Sequence, residues 1–115
     1  MDHVAYPFQE AHQRKDVAVD SRETVFSIKI PMGGFGVIDS VANNYFLGIK
    51  WYWYIDGVLV EPNPITRQMG LVYTPRVYNP PLIVKDNILV EAYNGADEVA
   101  PLEWLCNGSV YIPSD

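Results

Sequence analysis

Residues 45–60 read YFLGIKWYWYIDGVLV, two apolar and aromatic runs separated by the dipeptide Asp56-Gly57. A two-residue Asp-Gly loop between runs of this kind is typical of a β-hairpin with a type I′ turn, in which both loop residues take positive φ. In the register that this loop sets, Tyr54 lies opposite Leu59. The sequence therefore predicts a tight antiparallel hairpin in the middle of the chain.

Alternation along the first strand of this hairpin divides its side chains between two faces. Trp51 and Trp53 lie on one face, and Lys50, Tyr52 and Tyr54 lie on the other. Both faces are rich in aromatic groups, and soluble monomers rarely expose a large patch of that kind. Tyrosine is also common at protein interfaces, because its ring buries area while its hydroxyl stays wet. We therefore expect the second face to be an interface formed by Lys50, Tyr52, Tyr54 and Leu59.

Two interpretations of the tryptophans are open. In the first, Trp51 and Trp53 fill the core between two sheets, which their strand position favours. In the second, the two indoles form an exposed platform that stacks on sugar rings, as in a carbohydrate-binding module. Tryptophan fluorescence separates the two interpretations, because core indoles emit at shorter wavelength and resist quenchers.

Period-two alternation and turn residues predict further short strands in the rest of the chain. The clearest is at residues 24–30, where Phe26, Ile28 and Ile30 share a face. Other strands are predicted at residues 37–41, 71–74, 82–84, 88–93, 102–106 and 109–112, with Asn107-Gly108 as a hairpin loop between the last two. Residues 76–78 are either a further strand or an extended link. We therefore predict an all-β chain: a single β-sandwich, jelly-roll or Ig-like, of about seven to eight short antiparallel strands.

The first 23 residues differ in composition from the rest of the chain. They hold both histidines and many charged side chains, so they are too polar to build a core. Residues 9–16 could form two helical turns, but isolated helices of that length are marginal in water. We therefore predict an extended N-terminal arm at residues 1–23, which docks on a neighbouring subunit, and a β-sandwich domain at residues 24–115.

Composition and charge disfavour several classes of function. The chain has 115 residues and a net charge of −6, so we expect one domain without a surface for nucleic acid or anionic membranes, which need clustered positive charge. The single cysteine, Cys106, cannot form an internal disulfide, and no apolar stretch is long enough to span a bilayer. We expect a soluble, leaderless chain that is made in the host cytoplasm.

No motif in the sequence indicates catalysis or a cofactor. His3 and His12 lie in the predicted arm, where a nucleophile paired with a histidine would lack rigid support. Cys106 is better explained as a small buried hydrophobe than as a nucleophile. A surface calcium site at Asp97-Glu98 and a carboxylate pair of a small hydrolase are the weaker alternatives. We therefore predict no enzyme activity, no cofactor and no metal.

Residues 78–94 read YNPPLIVKDNILVEAYN: a proline-led start, an apolar triplet, an Asp/Asn turn and an alternating strand. This segment resembles one seen in small β-sandwich, jelly-roll-like capsid decoration and minor capsid proteins of bacteriophages. The resemblance covers this segment alone and carries over no catalytic residue. It implies a capsid decoration, cement or minor capsid role.

These features together predict a non-enzymatic structural subunit of a virus particle. We expect it to form a homo-oligomer and to contact a major capsid protein in the virion, through the arm and the tyrosine-rich face. The net charge of −6 fits a place outside the shell rather than against packaged DNA. The rival functions are a carbohydrate-binding module that uses Trp51 and Trp53, and a small hydrolase.

Overall fold

The computed structural model describes residues 2–60, 64–71 and 73–114, which form an all-β fold without a helix. The strands are His3–Pro7 (β1), His12–Val17 (β2), Arg22–Lys29 (β3), Phe35–Asn43 (β4), Ile49–Ile55 (β5), Val58–Leu59 (β6), Arg76–Val84 (β7), Asn87–Asn94 (β8) and Ala100–Pro113 (β9). All of their pairings are antiparallel.

The strands form two sheets that pack face to face. Sheet A has the order β1-β9-β4-β7, with β2 also paired to β9, and sheet B has the order β3-β8-β5-β6. β1 and β2 lie on the same edge of β9, so they are one interrupted strand opposite β4. Counted in that way, each sheet has four strands and the chain alternates between sheets except at the β5–β6 hairpin. This double-sheet arrangement of eight strands is a jelly roll, and the predicted all-β sandwich is confirmed.

The central hairpin forms as the sequence predicts. Asp56 and Gly57 take φ values of 52° and 81°, which is the sign that a type I′ turn requires at both positions. Tyr54 pairs with Leu59, and the Val60 N–H donates to the carbonyl of Trp53 over 2.9 Å. The turn therefore sets the register of β5 and places its tryptophans toward the core.

Three indoles form the centre of the core between the sheets. Trp51 and Trp53 from sheet B and Trp104 from sheet A are all fully buried. The ring of Trp104 lies 5.4 Å from that of Trp51 and 5.3 Å from that of Trp53, between centroids. Alternating residues of β8 complete this layer, since Ile88 and Val90 are also fully buried. The core interpretation of the tryptophans is thus the one that the fold adopts.

The prediction of a hairpin loop at Asn107-Gly108 is wrong, because β9 continues through both residues. The opposing strand β4 has a register shift between Ile38 and Ser40 at this point. A Cβ on Gly108 would clash with the carbonyl oxygen of Val37, so the glycine permits a close approach of two strands rather than a reversal. Asn107 donates to the Ser40 hydroxyl over 3.1 Å and stabilises the same irregularity.

The prediction of a strand at residues 71–74 is also wrong. Leu71 and Thr74 exchange backbone hydrogen bonds of 3.1 and 3.0 Å in a tight turn, and Val72 lies outside the described residues. The segments predicted at 76–78 and 82–84 are one strand, β7, which contains Pro80 and Pro81. Its register with β4 shifts across these prolines. Prolines are tolerated here because β7 is an edge strand, where a missing N–H leaves no neighbour unpaired.

The predicted N-terminal arm is extended, but it is not separate from the sandwich. Residues 3–7 and 12–17 are strands of sheet A, and residues 9–16 do not form the helical turns that the sequence allows there. Val17 is fully buried and Phe8 is 7% exposed, so both belong to the core. The charged residues of this segment mislead the prediction because an edge strand keeps much of its surface in water.

Candidate functional site

The outer surface of sheet B carries the four residues that the sequence predicts as an interface. Lys50, Tyr52 and Tyr54 alternate with the buried residues of β5, and Leu59 lies opposite Tyr54 on β6. Lys50 and Leu59 are exposed, and both tyrosines are partly exposed. The structure therefore brings the four predicted residues together on one surface.

Three further residues on this surface were missed in the sequence. They are Arg22 of β3 and Glu91 and Tyr93 of β8, whose strands lie beside β5. Glu91 pairs with Tyr52 and Tyr93 pairs with Lys50 across the strands. We call the whole set the tyrosine face: Arg22, Lys50, Tyr52, Tyr54, Leu59, Glu91 and Tyr93.

Arg22 connects the three strands of the tyrosine face. Its guanidinium donates to Glu91 from Nε over 2.9 Å and to the Tyr54 hydroxyl from Nη2 over 2.9 Å. The same group stacks on Tyr52, with the guanidinium carbon 3.7 Å from the ring centroid. Partial burial lowers the pKa of Arg22, but the bonds to Glu91 and Tyr54 outweigh it and leave that pKa raised. The arginine stays charged and holds both tyrosines in fixed orientations.

A second contact group lies at the other end of the face. The Tyr93 hydroxyl donates to Asp20 Oδ1 over 3.3 Å, and the Lys50 ammonium is 6.0 Å from the Tyr93 ring centroid. The negative charge of Asp20 raises the pKa of Tyr93 above its ordinary value. Tyr93 therefore remains a neutral hydrogen-bond donor at physiological pH.

The chemistry of the tyrosine face suits recognition of another protein. Tyrosine and arginine are enriched at protein interfaces and among the residues that contribute most to binding. Side chains that are already held by neighbours lose less conformational freedom on binding. Arg22 and Glu91 add an ion pair to the aromatic face that the sequence predicts.

The proposed glycan platform of Trp51 and Trp53 does not form. Both indoles are fully buried, and Trp53 also packs edge-on against Tyr78, with 5.8 Å between ring centroids. A sugar ring cannot stack on an aromatic face that other side chains already cover. The rings of these tryptophans instead stabilise the sandwich from inside.

A groove of about 550 Å³ opens at the edge of the sandwich, between β1 of sheet A and the end of β3 in sheet B. Its walls include the apolar side chains of Tyr6, Phe8, Ile30, Val110 and Ile112. Higher along the same edge, the Gln13 carboxamide closes the gap: it donates to the Ser27 carbonyl over 3.0 Å and accepts from the Ser27 N–H over 3.1 Å. The groove is the part of this edge that Gln13 does not close.

The candidate catalytic and metal-binding residues do not form a common site. His3 packs edge-on against Phe35, and His12 is 3.5 Å from Glu103. Burial raises the pKa of Cys106 to about 12, so its thiol is not a nucleophile at neutral pH. The described residues contain no group of three or more His, Cys, Asp or Glu side chains that could hold a metal ion, Asp97 and Glu98 included. Among these residues there is also no helix with the length and hydropathy to cross a membrane.

Comparison with known proteins gives a likeness of fold alone. No protein-family model matches the chain, and no curated protein matches it. Among solved structures, the VP2 subviral particle of infectious bursal disease virus is 14% identical with a TM-score of 0.44, covering 96% of this chain and 32% of that one. The structure of the Gt strain of the virus is 16% identical with a TM-score of 0.35, and the match covers 96% of this chain and 32% of that one. The structure of the Gx strain is 15% identical with a TM-score of 0.36, and the match covers 97% of this chain and 33% of that one. The chain thus spans about a third of the length of each protein that it resembles.

Proposed function

We propose that this chain is a non-enzymatic structural subunit of a virus particle, a capsid decoration, cement or minor capsid protein. In this proposal the subunit associates with copies of itself and with a major capsid protein. It docks through the tyrosine face and through the strands formed by residues 1–23. Its location is the virion, on the outside of the shell.

The fold is compatible with this role but does not select it. Jelly rolls occur in viral capsid proteins and also in lectins and cupins, and function belongs to the site rather than to the fold. A lectin of the kind considered above would need exposed indoles, whereas Trp51 and Trp53 are fully buried. The buried indoles therefore favour the structural role over the glycan-binding one.

The observation that carries the proposal is the tyrosine face itself. Two partly exposed tyrosines, an exposed leucine and an arginine that is already paired lie together on the rigid outer surface of a sheet. This combination provides apolar area and hydroxyl groups at the surface, and its side chains lose little conformational entropy on binding. These are the properties of a surface that binds a preformed protein partner.

Multiplicity and charge support the same role. A subunit that decorates a repeating lattice gains avidity when it is linked to other copies, so each single contact can be modest. The net charge of −6 disfavours a position against nucleic acid, whose phosphates repel it. A place on the outer surface of a shell avoids this repulsion.

The proposal can be tested by sedimentation with particles of the virus that encodes the chain. We expect the wild-type chain to sediment with the particles and the Tyr52→Ala, Tyr54→Ala double variant to remain in the supernatant. Tyr73→Ala is the matched control, because Tyr73 is 96% exposed in the loop before β7 and lies outside the tyrosine face. Circular dichroism verifies that each variant is folded.

Two results would contradict the proposal. One is a folded wild-type chain that stays in the supernatant at every particle concentration. The other is a double variant that sediments as well as the wild type, which would remove the tyrosine face from the interface.

A further inference from the structure

The edge strands of this sandwich differ in how they are protected against pairing with another chain. β7 contains Pro80 and Pro81, and β6 has only two residues. The peptide of Ser27 in β3 is already bonded by the Gln13 carboxamide, and β2 carries a run of charged residues, RKD at positions 14–16. Proline, short length, charge and cover are the common ways in which edge strands avoid association.

β1 is the exception among the described edge strands. Its sequence HVAYP contains no acidic, lysine or arginine residue, and all five residues are exposed. Val4 is 40% exposed and Tyr6 is 46% exposed. Only Pro7, at the end of the strand, limits its capacity to pair. An uncovered, uncharged edge of this kind is a template for another strand.

The backbone of β1 shows which groups are available to a partner. The Asp2 carbonyl accepts from the Ser114 N–H over 3.0 Å, and the Phe8 N–H donates to the Gly108 carbonyl over 3.1 Å. Even-numbered residues therefore bond to β9, and the N–H and C=O groups of His3 and Ala5 point outward, because these directions alternate in an antiparallel strand. Pro7 adds an outward carbonyl.

We propose that β1 pairs antiparallel with β1 of a second copy of this chain, with Ala5 opposite Ala5 across a twofold axis. The two alanines exchange two hydrogen bonds, and each His3 N–H donates to the Pro7 carbonyl of the other copy. Val4 lies opposite Tyr6 of the other copy, a favourable pair of a β-branched and an aromatic side chain. This inference deepens the proposed function, because it names the strand and register through which the subunit self-associates.

The groove beside β1 supports a second copy as the occupant. Tyr6, Val110 and Ile112 line the groove of about 550 Å³. Val4 pairs with Ile112 and lies on the same side of sheet A as Tyr6, two residues along the strand. The added strand continues sheet A and directs its own Val4 and Tyr6 to the same side. The second copy thereby covers the apolar walls of the groove, which are exposed to solvent in a single copy. The absence of charge in β1 means that self-pairing brings no like charges together at the strand.

The register is tested by charge exchange at Ala5, with dimerisation measured by sedimentation equilibrium. Ala5→Glu or Ala5→Lys alone places like charges opposite each other, and we expect the dimer dissociation constant to rise about fivefold. An equimolar mixture of the two variants places opposite charges together and restores association. Val77→Glu and Val77→Lys are the matched controls, because Val77 is 69% exposed on β7 at the other edge of sheet A, and they leave association unchanged.

A covalent test uses Ala5→Cys. The Cα atoms of a hydrogen-bonded antiparallel pair are about 5.5 Å apart, which is within the range that a disulfide spans. Cys106 is fully buried, so the new thiol is the reactive one. Under mild oxidation we expect Ala5→Cys to form a linked dimer faster than Val77→Cys does.

Three results would overturn the inference: a wild-type chain that is monomeric at high concentration, no restoration in the Ala5→Glu and Ala5→Lys mixture, or equal cross-linking of the two cysteine variants. These results are separate from the particle-binding test. A chain that fails to dimerise through β1 but sediments with particles refutes this inference and leaves the proposed function standing, and the reverse outcome refutes the proposed function alone.

Discussion

Replacement of Asp56 is predicted to weaken the end of the sandwich at which the two sheets' turns meet. The Asp56 carboxylate, in the β5–β6 turn, accepts backbone N–H groups of the β7–β8 turn: Lys85 at 2.9 Å, Asp86 at 2.6 Å and Asn87 at 3.1 Å. Asp56 also takes φ = 52°, a conformation that asparagine and glycine tolerate better than alanine. The Asp56 side chain thus connects the two turns, and its own backbone takes the left-handed conformation within the β5–β6 turn.

The magnitudes follow from these contacts. Each hydrogen bond contributes about 0.5–1.5 kcal/mol net, and because the carboxylate is exposed we take a value in the lower half of this range, about 0.7 kcal/mol, for each. Asp56→Gly loses three bonds without backbone strain, so we expect a loss of about 2 kcal/mol. Asp56→Ala adds about 1 kcal/mol for the left-handed conformation, whereas Asp56→Asn keeps one acceptor oxygen and loses about 1 kcal/mol.

The pH dependence gives an independent check on the same carboxylate. Partial burial raises the pKa of Asp56, but the three backbone hydrogen bonds outweigh it and hold the pKa below its ordinary value of 3.8. A lowered folded-state pKa contributes stability that is complete above the ordinary pKa and is lost as the pH falls through the folded value. The difference in stability between the wild type and Asp56→Asn is therefore constant near neutral pH and shrinks on acidification below that ordinary value.

Urea unfolding followed by tryptophan fluorescence measures these differences at neutral pH and in steps down to about pH 2. Asp97→Asn is the control, since it removes the same charge from an exposed loop residue. We expect Asp97→Asn to have a small effect on the free energy of unfolding at every pH. The reasoning is refuted if the free energy of unfolding of Asp56→Gly is within about 0.5 kcal/mol of that of the wild type. It is also refuted if the destabilisation caused by Asp56→Asn is the same in acid as at neutral pH.

Two further predictions concern the interior. Gly108→Ala should destabilise the fold by about 2 kcal/mol or more, because the added methyl group forces β9 away from the Val37 carbonyl. Gly57→Ala is the comparison, since a Cβ at Gly57 meets nothing within 4 Å. The cost of Gly57→Ala is therefore limited to backbone strain. Equal urea midpoints for the two variants would contradict the close approach at Gly108. The three tryptophans, all fully buried, should emit at short wavelength and resist acrylamide, and red emission that is quenched as in free tryptophan would show that the indole core is wrong.

The parts of the fold that the sequence predicts are those set by neighbouring residues. The Asp56-Gly57 turn fixes its hairpin because both φ requirements are local, and alternation along β5 then assigns Trp51 and Trp53 to the core. Long-range pairing is not encoded in this way. Asn107-Gly108 has the composition of a turn, but the register shift of β4 opposite it makes the same dipeptide part of a continuous strand.

The candidate site was predicted in the same partial way. Lys50, Tyr52 and Tyr54 follow from alternation within one strand, so their shared surface could be derived locally. Arg22 could not, because it comes from a strand two positions away in the sheet and lies inside residues 1–23, whose charges predict an arm. The sequence shows an arginine just before the alternating run at residues 24–30. Only the strand order β3-β8-β5 places the side chain of this arginine over the tyrosines.

The position of β9 has a consequence for how the protein comes to be folded. β1 and β2 precede β9 in the chain by most of its length, and both have β9 as their partner, since His3 pairs with Pro113 and Val17 with Ala100. Contacts between residues so far apart in sequence form slowly, and the uncharged β1 segment has no partner strand until β9 has been synthesised. Unpaired strand edges make incompletely folded chains prone to associate, so the same edge that we propose for the dimer is also the one most exposed to mispairing before the sandwich closes.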